Sequence, residues 1–367
     1  MVKRVRRQHV VSKFYLKGFA DEAGQLRRVY LPGDRSHLMA ISDATVVKDF
    51  YTVTLPDDSE SDMFERAFGG IEAAASEALR AAIGGVWPLQ RDVRGGLASW
   101  LALQHLRGEN IRASSEQQQA LTIRLIVGVS GKQALRVLIE RAEQRTLSDA
   151  ELDWEWQDVT KPGGPDLKSN ADAHLLLLMS LHDDMSRYLQ DSHWTILRFK
   201  RRSLLTTDNP VVMAVRPDDS GRNGIGIFTA DAFLAPLSRY AALMMQPRHK
   251  LPIQGVFVPD FDESGSTTYA HWINQELVWH ARRHIYMHPD DLLSDKIRLP
   301  QPDRRNFDAN IGGALISEGG LFHGLSEDQL KDMSEAMPPR RNEDGMTIND
   351  LEWPIPGRMT SGRPTSW

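Results

Sequence analysis

The spacing of apolar residues along this chain changes period more than once, and each change predicts a different kind of element. Ser12-Lys13-Phe14-Tyr15-Leu16-Lys17-Gly18-Phe19 predicts a short helix, with Ser12 as N-cap and Tyr15, Leu16 and Phe19 on one face. Gln25 to Leu31 reads as a strand turned by Pro32-Gly33-Asp34, and Asp49 to Val53 as a second strand. From Glu60 to about Ile83 the period becomes helical, because Met63, Phe64, Phe68, Ile71, Ala75, Ala78 and Leu79 make one apolar stripe. Gly84-Gly85 and Pro88 end it. Residues 90–107, 114–129, 132–145 and 170–190 predict four further helices, with the breaker Lys161-Pro162-Gly163-Gly164-Pro165 before the last. After Ser192 come short β-compatible runs at Trp194–Phe199, Ser203–Thr206, Val211–Val215, Gly226–Thr229 and Ala241–Gln246. A helix over 268–283 and a strand at Ile285–Met287 follow.

Strands that succeed one another without intervening helices predict an antiparallel or mixed sheet, so the fold class is α+β. The expected order is an N-terminal helix with a small β-element, a helical bundle, then the sheet and a closing helix. One domain is expected over 1–295, helical at 60–192 and sheet-rich at 193–290. Residues 296–367 read as an appendage, partly irregular, with one capped helix at Ser326-Glu327-Asp328-Gln329-Leu330.

Composition narrows the chemistry. The chain has 367 residues and a formal net charge of -5, which argues against a nucleic-acid-binding polycation but leaves room for local basic patches. It has no cysteine, which removes disulfides, thiolate zinc sites and cysteine nucleophiles, and fits a reducing cytoplasm. Any metal site must use His, Asp or Glu. Charges at the N-terminus lead into Gln8-His9 without a long apolar run, so no signal peptide is read. The longest apolar run, Leu175 to Met179, is far short of the ~20 residues that span a bilayer, so no membrane partner is expected. P-loop, Rossmann, α/β-hydrolase and zincin signatures are absent.

Thr207-Asp208-Asn209-Pro210 interrupts two apolar runs, Leu204-Leu205 and Val211-Val212-Met213. Asp208 there suits an acid, base or metal ligand and Asn209 a donor to a substrate oxygen. The plainer reading is a turn in which Asp208 caps nearby amides. His9 reads as a general base or phosphate contact, or as a helix-start hydrogen bonder. Glu65 and Glu72, seven apart on one helix and flanking Phe68, could hold a divalent cation or form a solvated rim. His174, His182 and Asp183 share a helix, better read as its surface than as a metal cluster. The Arg-x-x-x-x-His spacings Arg4–His9 and Arg283–His288 are discounted as chance. Lys3-Arg4-Arg6-Arg7 and Lys200-Arg201-Arg202 are basic clusters able to meet phosphate, or merely solvated faces.

Three stretches in order carry a family resemblance. They are His9-Val10-Val11 with Phe14 to Phe19, then Thr207-Asp208-Asn209-Pro210-Val211, then Pro236-Leu237-Ser238 with the later Asn274. The chain resembles the bacterial domain-of-unknown-function 4238 family over roughly Arg7 to Met287. Family members often have a proline where this chain has Val11 or Ser12. The resemblance implies a boundary and a shortlist of residues, and no activity. Each basic cluster precedes one of these stretches, which suits an anionic substrate.

The expectation is therefore a cytoplasmic hydrolase of an anionic substrate, nuclease-like or phosphodiesterase-like. His9, Asp208 and Asn209 would be catalytic, Arg7, Lys13, Arg201 and Asn274 would bind substrate, and Glu65 and Glu72 would hold a divalent cation. The partner would be a nucleotide or nucleic acid. The competing reading is a non-enzymatic module that binds a ligand or a protein. Convergence of His9, Asp208 and one of Glu65, Glu72 or Asn274 separates the two.

Overall fold

The computed structural model describes residues 5–304, except 56, 58, 162–164, 166, 169–170, 216–225 and 253–255. Lys3 and Arg4, the Pro162-Gly163-Gly164 breaker, the helix at Ser326 and the C-terminal segment beyond 304 lie outside the described residues.

The N-terminal part holds β1 (Arg7–His9), α1 (Lys13–Leu16) with a 3-10 turn at Lys17–Phe19, β2 (Gln25–Tyr30) and β3 (Ser36–Ala40). Three short strands follow, β4 (Val46–Lys48), β5 (Val53–Thr54) and β6 (Glu60–Ser61). The helices are α2 (Met63–Ile83), α3 (Arg91–Leu106), α4 (Glu109–Ser130), α5 (Lys132–Glu143), α6 (Asp149–Thr160) and α7 (Ala171–Asp191). The rest comprises β7 (His193–Arg198), β8 (Thr206–Thr207), β9 (Val212–Ala214), β10 (Ala232–Ser238), β11 (Ala241–Gln246) and β12 (Phe261–Ser264). Helix α8 (Thr267–His280) and β13 (His284–Met287) close it. The fold is α+β, and no helix among the described residues is long and apolar enough to cross a membrane.

The described residues form two compact units, one built from segments up to Arg112 and from Ala171 to Arg304, the other from Ala113 to Lys168. In the first unit α3 is the central helix. It packs against both α2 and α7, and every residue from Trp100 to Leu106 is buried. A helical turn buried on every side has to be apolar or have its polar groups partnered, as Gln104 and His105 are, and each large apolar side chain so buried contributes about 1.5–3 kcal/mol. Around it stand two larger sheets. One has the order β12-β7-β11-β10-β9, antiparallel except for the parallel β12–β7 pair. The other has the order β3-β2-β13-β8 and is antiparallel throughout.

The second unit has its own core, in which Val127, Leu135, Leu147, Leu152, Trp156 and Val159 bring α4, α5 and α6 together. Sequence reading passed over α6 as linker. Its signal is local: Ser148 and Glu151 form a reciprocal capping box.

Several expected strands shift for identifiable reasons. Gly226–Thr229 is a turn, closed by the Gly226 amide on Thr229 Oγ1 at 2.8 Å. The run Ser203–Thr206 pairs only from Thr206, because the Asn274 side chain takes the Leu205 amide and donates to the Ser203 carbonyl, both at 3.0 Å. Asp49–Tyr51 is a turn, leaving Val53–Thr54 as the strand. Conversely β10 was unforeseen because it contains Pro236, which sits poorly inside a sheet. Its partner β9 stops opposite Leu234, so at Pro236 the strand has a neighbour on one side only.

The 3-10 turn docks on the end of β10. The Arg239 amide donates to the Gly18 carbonyl at 2.8 Å, and a Cβ on Gly18 would lie 3.0 Å from the Leu237 carbonyl oxygen and 3.1 Å from Ser238 Cα. Those are backbone atoms with nowhere to go. Gly18→Ala is expected to destabilise the protein by about 1–3 kcal/mol, read as a lower urea midpoint at unchanged slope.

Candidate functional site

The sequence expects Ser12 to cap α1. It occupies the N-cap position with extended backbone, yet its hydroxyl makes no capping bond. Instead Ser12 Oγ donates to Glu72 Oε1 at 2.7 Å and accepts from Trp100 Nε1 at 2.9 Å and Arg107 Nη2 at 2.6 Å. Arg107, 1% exposed, ends α3 and is the charge at the centre of this network. Its Nη1 donates to Glu72 Oε1 at 2.9 Å and its Nη2 to Gln104 Oε1 at 2.9 Å. Gln104 in turn donates to the Val10 carbonyl, and the Arg107 carbonyl accepts from Tyr51 Oη at 3.0 Å.

Four of the expected residues stand around this guanidinium. Burial first, then the neighbouring charge of Lys13, lower the His9 pKa below 6.5, and Glu72 and Arg107 also act on it. His9 Nε2 lies 3.3 Å from the Ser42 carbonyl, and the tautomer that donates there leaves the lone pair on Nδ1. Burial raises the Glu65 carboxyl above the usual range, opposed by Arg107 and assisted by Glu72. Thus His9 and Glu65 each feel the charges of Lys13, Glu72 and Arg107. The two glutamates do not make a cation cage as expected. Glu72 is engaged by Arg107 and Ser12, and no group of three or more His, Asp or Glu among the described residues is placed to hold a metal.

Asp208 and Asn209 lie in a second cluster. The Thr-Asp-Asn-Pro turn is fixed by Thr207 Oγ1, which accepts from the Asn209 amide at 3.1 Å and donates to its carbonyl at 2.8 Å. Asp208 caps no neighbouring amide. Its carboxylate accepts three amides just past the end of α8, from Arg282 at 2.8 Å, Arg283 at 2.7 Å and His284 at 2.9 Å. Burial nevertheless pushes its carboxyl up to about 6, against those three donors. The donor group expected of Asn209 is directed within the protein. Its Nδ2 is directed to the His280 carbonyl at 3.3 Å, and Oδ1 is buried without a partner among the described residues.

The segment Gln104–Asn110, where α3 passes into α4, feeds both clusters. Gln104 and Arg107 face Ser12 and Glu72, whereas His105 meets the Val211 carbonyl at 2.9 Å and Asn110 the His280 carbonyl at 3.3 Å. Glu109 accepts from Arg283 Nη1 at 2.9 Å. His9 and Asp208 do not meet directly, so the convergence expected of a single catalytic site is not found, and a catalytic reading rests on the cluster at His9 without Asp208. The remaining expected residues stand elsewhere: Arg7 is exposed and paired with Asp43, Arg201 is exposed, and Asn274 serves the backbone of Ser203–Leu205. His174 is buried with its ring edge-on to Phe50, and His182 touches Asp183 and the Ser99 carbonyl, both at 3.1 Å.

Residues 7–291 match the family described as Protein of unknown function (DUF4238). The chain belongs to that family. No curated protein and no solved structure gives a significant match. The DUF4238 match takes in both clusters, and the stretches of the resemblance are placed by the contacts above: His9 and Gly18 at the start, Asp208 in the middle, Leu237 and Asn274 beyond.

Sequence reading missed Ser12 as a hydroxyl in a buried network, and Gln104, Arg107, Glu109 and the pair Arg282-Arg283. One signal was present. Gln104, His105 and Arg107 follow directly on the apolar Trp100–Leu103, so three polar side chains continue a buried helix face where only partnered ones are stable.

Asp208→Asn would set an NH2 against at least one of three amide donors and is expected to cost about 1–3 kcal/mol. The native carboxyl titrates higher folded than at its ordinary 3.8, so its stabilising contribution is complete below about pH 4 and is lost as pH rises through about 6. The Asn variant should flatten that part of the stability–pH curve, measured by thermal melts at closely spaced pH values.

Proposed function

We propose that the chain is a cytoplasmic hydrolase of an anionic substrate, a phosphate ester such as a nucleotide or nucleic acid, with its centre at His9. The observation that carries this reading is the gathering of His9, Lys13, Glu65 and Glu72 around the buried Arg107. A His held neutral near pH 7 is a proton acceptor, and a carboxyl held above its ordinary range is a proton donor. His9 would take the proton of an attacking water, and Glu65, whose carboxyl burial raises above its ordinary range, would be the donor to the leaving oxygen. Lys13, exposed beside His9, supplies charge to the substrate anion. The Ser42 carbonyl orients the imidazole, and the charge of Glu72, fixed by Arg107 and Ser12, favours its protonated form. Arg107 already neutralises the carboxylates, so a divalent cation has no necessary part in this scheme.

Asp208 and Asn209 take a supporting role here, since both Asp208 oxygens are engaged by main-chain amides. That engagement favours a structural role for the Thr-Asp-Asn-Pro turn, with Asp208 joining it to the chain after α8.

His9→Ala is expected to lower phosphodiester or phosphomonoester hydrolysis by about 10²–10⁴-fold while circular dichroism and melting temperature stay close to wild type. Because the His9 pKa is lowered, the wild-type rate should hold from neutral pH down through 6.5 and fall only below it. A wild-type protein that hydrolyses no phosphate ester, or a folded His9→Ala variant of full activity, would remove the catalytic reading.

A further inference from the structure

A distinct cationic cluster lies on one face of the four-stranded sheet. Tyr30 is paired with His284, and Arg28 with both Tyr286 and His37, so these side chains share that face. The Arg35 guanidinium lies 3.8 Å from the Tyr30 ring centroid and that of Arg28 lies 4.7 Å from it. Arg28 also bonds the Tyr30 hydroxyl, and its Nη2 is 3.0 Å from His37 Nε2. Arg35 and His37 are exposed.

Charge is balanced unevenly here. Arg283 is taken up by Glu109 and Asp303, at 2.9 and 2.8 Å. Among the described residues Arg28 and Arg35 have no carboxylate partner, and Arg28 Nε is buried with no hydrogen bond. The imbalance is felt nearby: burial first, then Arg28, Arg283 and Arg35, bring the His284 ring down to about 4, although Asp208 lies 3.7 Å away.

We propose that Arg28, Arg35 and His37 form a binding site for a phosphate group. Two guanidiniums offer charge equal to a phosphate dianion and planar donor forks that match its oxygens. Tyr30 holds both guanidiniums near its ring, which reduces the side-chain entropy lost when an anion binds. The site also neighbours the one built on His9. The Ser42 carbonyl meets His9, and Thr45, three residues on, bonds Tyr286 through its backbone. A chain of phosphates would find a second contact one short loop from His9. The site stands without the catalytic reading, since it is defined by binding alone.

The test is calorimetric or anisotropy titration of the whole protein with inorganic phosphate, a nucleoside monophosphate and a short single-stranded oligonucleotide. Wild type is expected to bind at least one of these, and Arg28→Gln/Arg35→Gln to bind it at least about tenfold more weakly. Free phosphate binding alone identifies a small-anion site. Oligonucleotide binding whose salt slope falls by about one per arginine removed identifies a nucleic-acid backbone. Should the double variant melt early, Arg35→Gln, which alters an exposed side chain, carries the comparison. No binding of any probe by wild type, or equal affinity in a folded variant, overturns the proposal. Weakened binding in Arg28→Gln/Arg35→Gln stands whether or not the wild type hydrolyses any phosphate ester, which separates this result from the fate of the catalytic reading.

Discussion

A guanidinium that is 1% exposed cannot stay charged in a protein interior without partners, and the partners of Arg107 come from three parts of the sequence. Glu72 supplies the opposite charge from α2, Gln104 an oxygen from the preceding turn of α3, and Ser12 an oxygen from the N-terminal segment. The carbonyl of the same residue fixes Tyr51. Satisfying one buried cation therefore sets where α1, α2 and the small β-element sit against the central helix. The ordering of His9, Lys13 and Glu65 follows from that placement.

The two polar clusters are tied together by local chain geometry. Where α3 passes into α4, successive polar residues point to different sides, so Arg107 serves one cluster and His105, Glu109 and Asn110 the other. Neither cluster can shift far without moving the main chain the other depends on. The short stretches that mark the DUF4238 family read the same way. Gly18 fits against Leu237 and Ser238, Asn274 holds Ser203 and Leu205, and Asp208 holds the turn after α8. They are joints between distant segments.

Long amphipathic helices were legible because burial imposes a 3.6-residue period, and α2, α3 and α7 lie where that period places them. Strands β7 and β11 were legible as continuous apolar runs. Strands β3 and β12 were not, because exposed edges with polar residues leave no periodic signal. The site was half legible. His9, Glu65 and Glu72 stood out by residue type, and the structure brings them together. The organising Arg107 did not, because a buried arginine reads in sequence like a surface one. Asp208 was legible as a special position, yet its partners lie 74 to 76 residues away, beyond the reach of any local pattern.

The docking of the N-terminal segment also has a consequence in time. Ser12 waits for Gln104, 92 residues later, Tyr15 for Thr206, 191 residues later, and Gly18 for Arg239. At synthesis rates of about 5–20 residues per second, the segment that carries Tyr15, Leu16 and Phe19 spends about 10 s or longer before Thr206 is made. Long-range closure of this kind is slow even once the chain is complete. The unit containing Arg107 thus closes late: residues made well before their partners are among the last to be buried, and their burial completes the site.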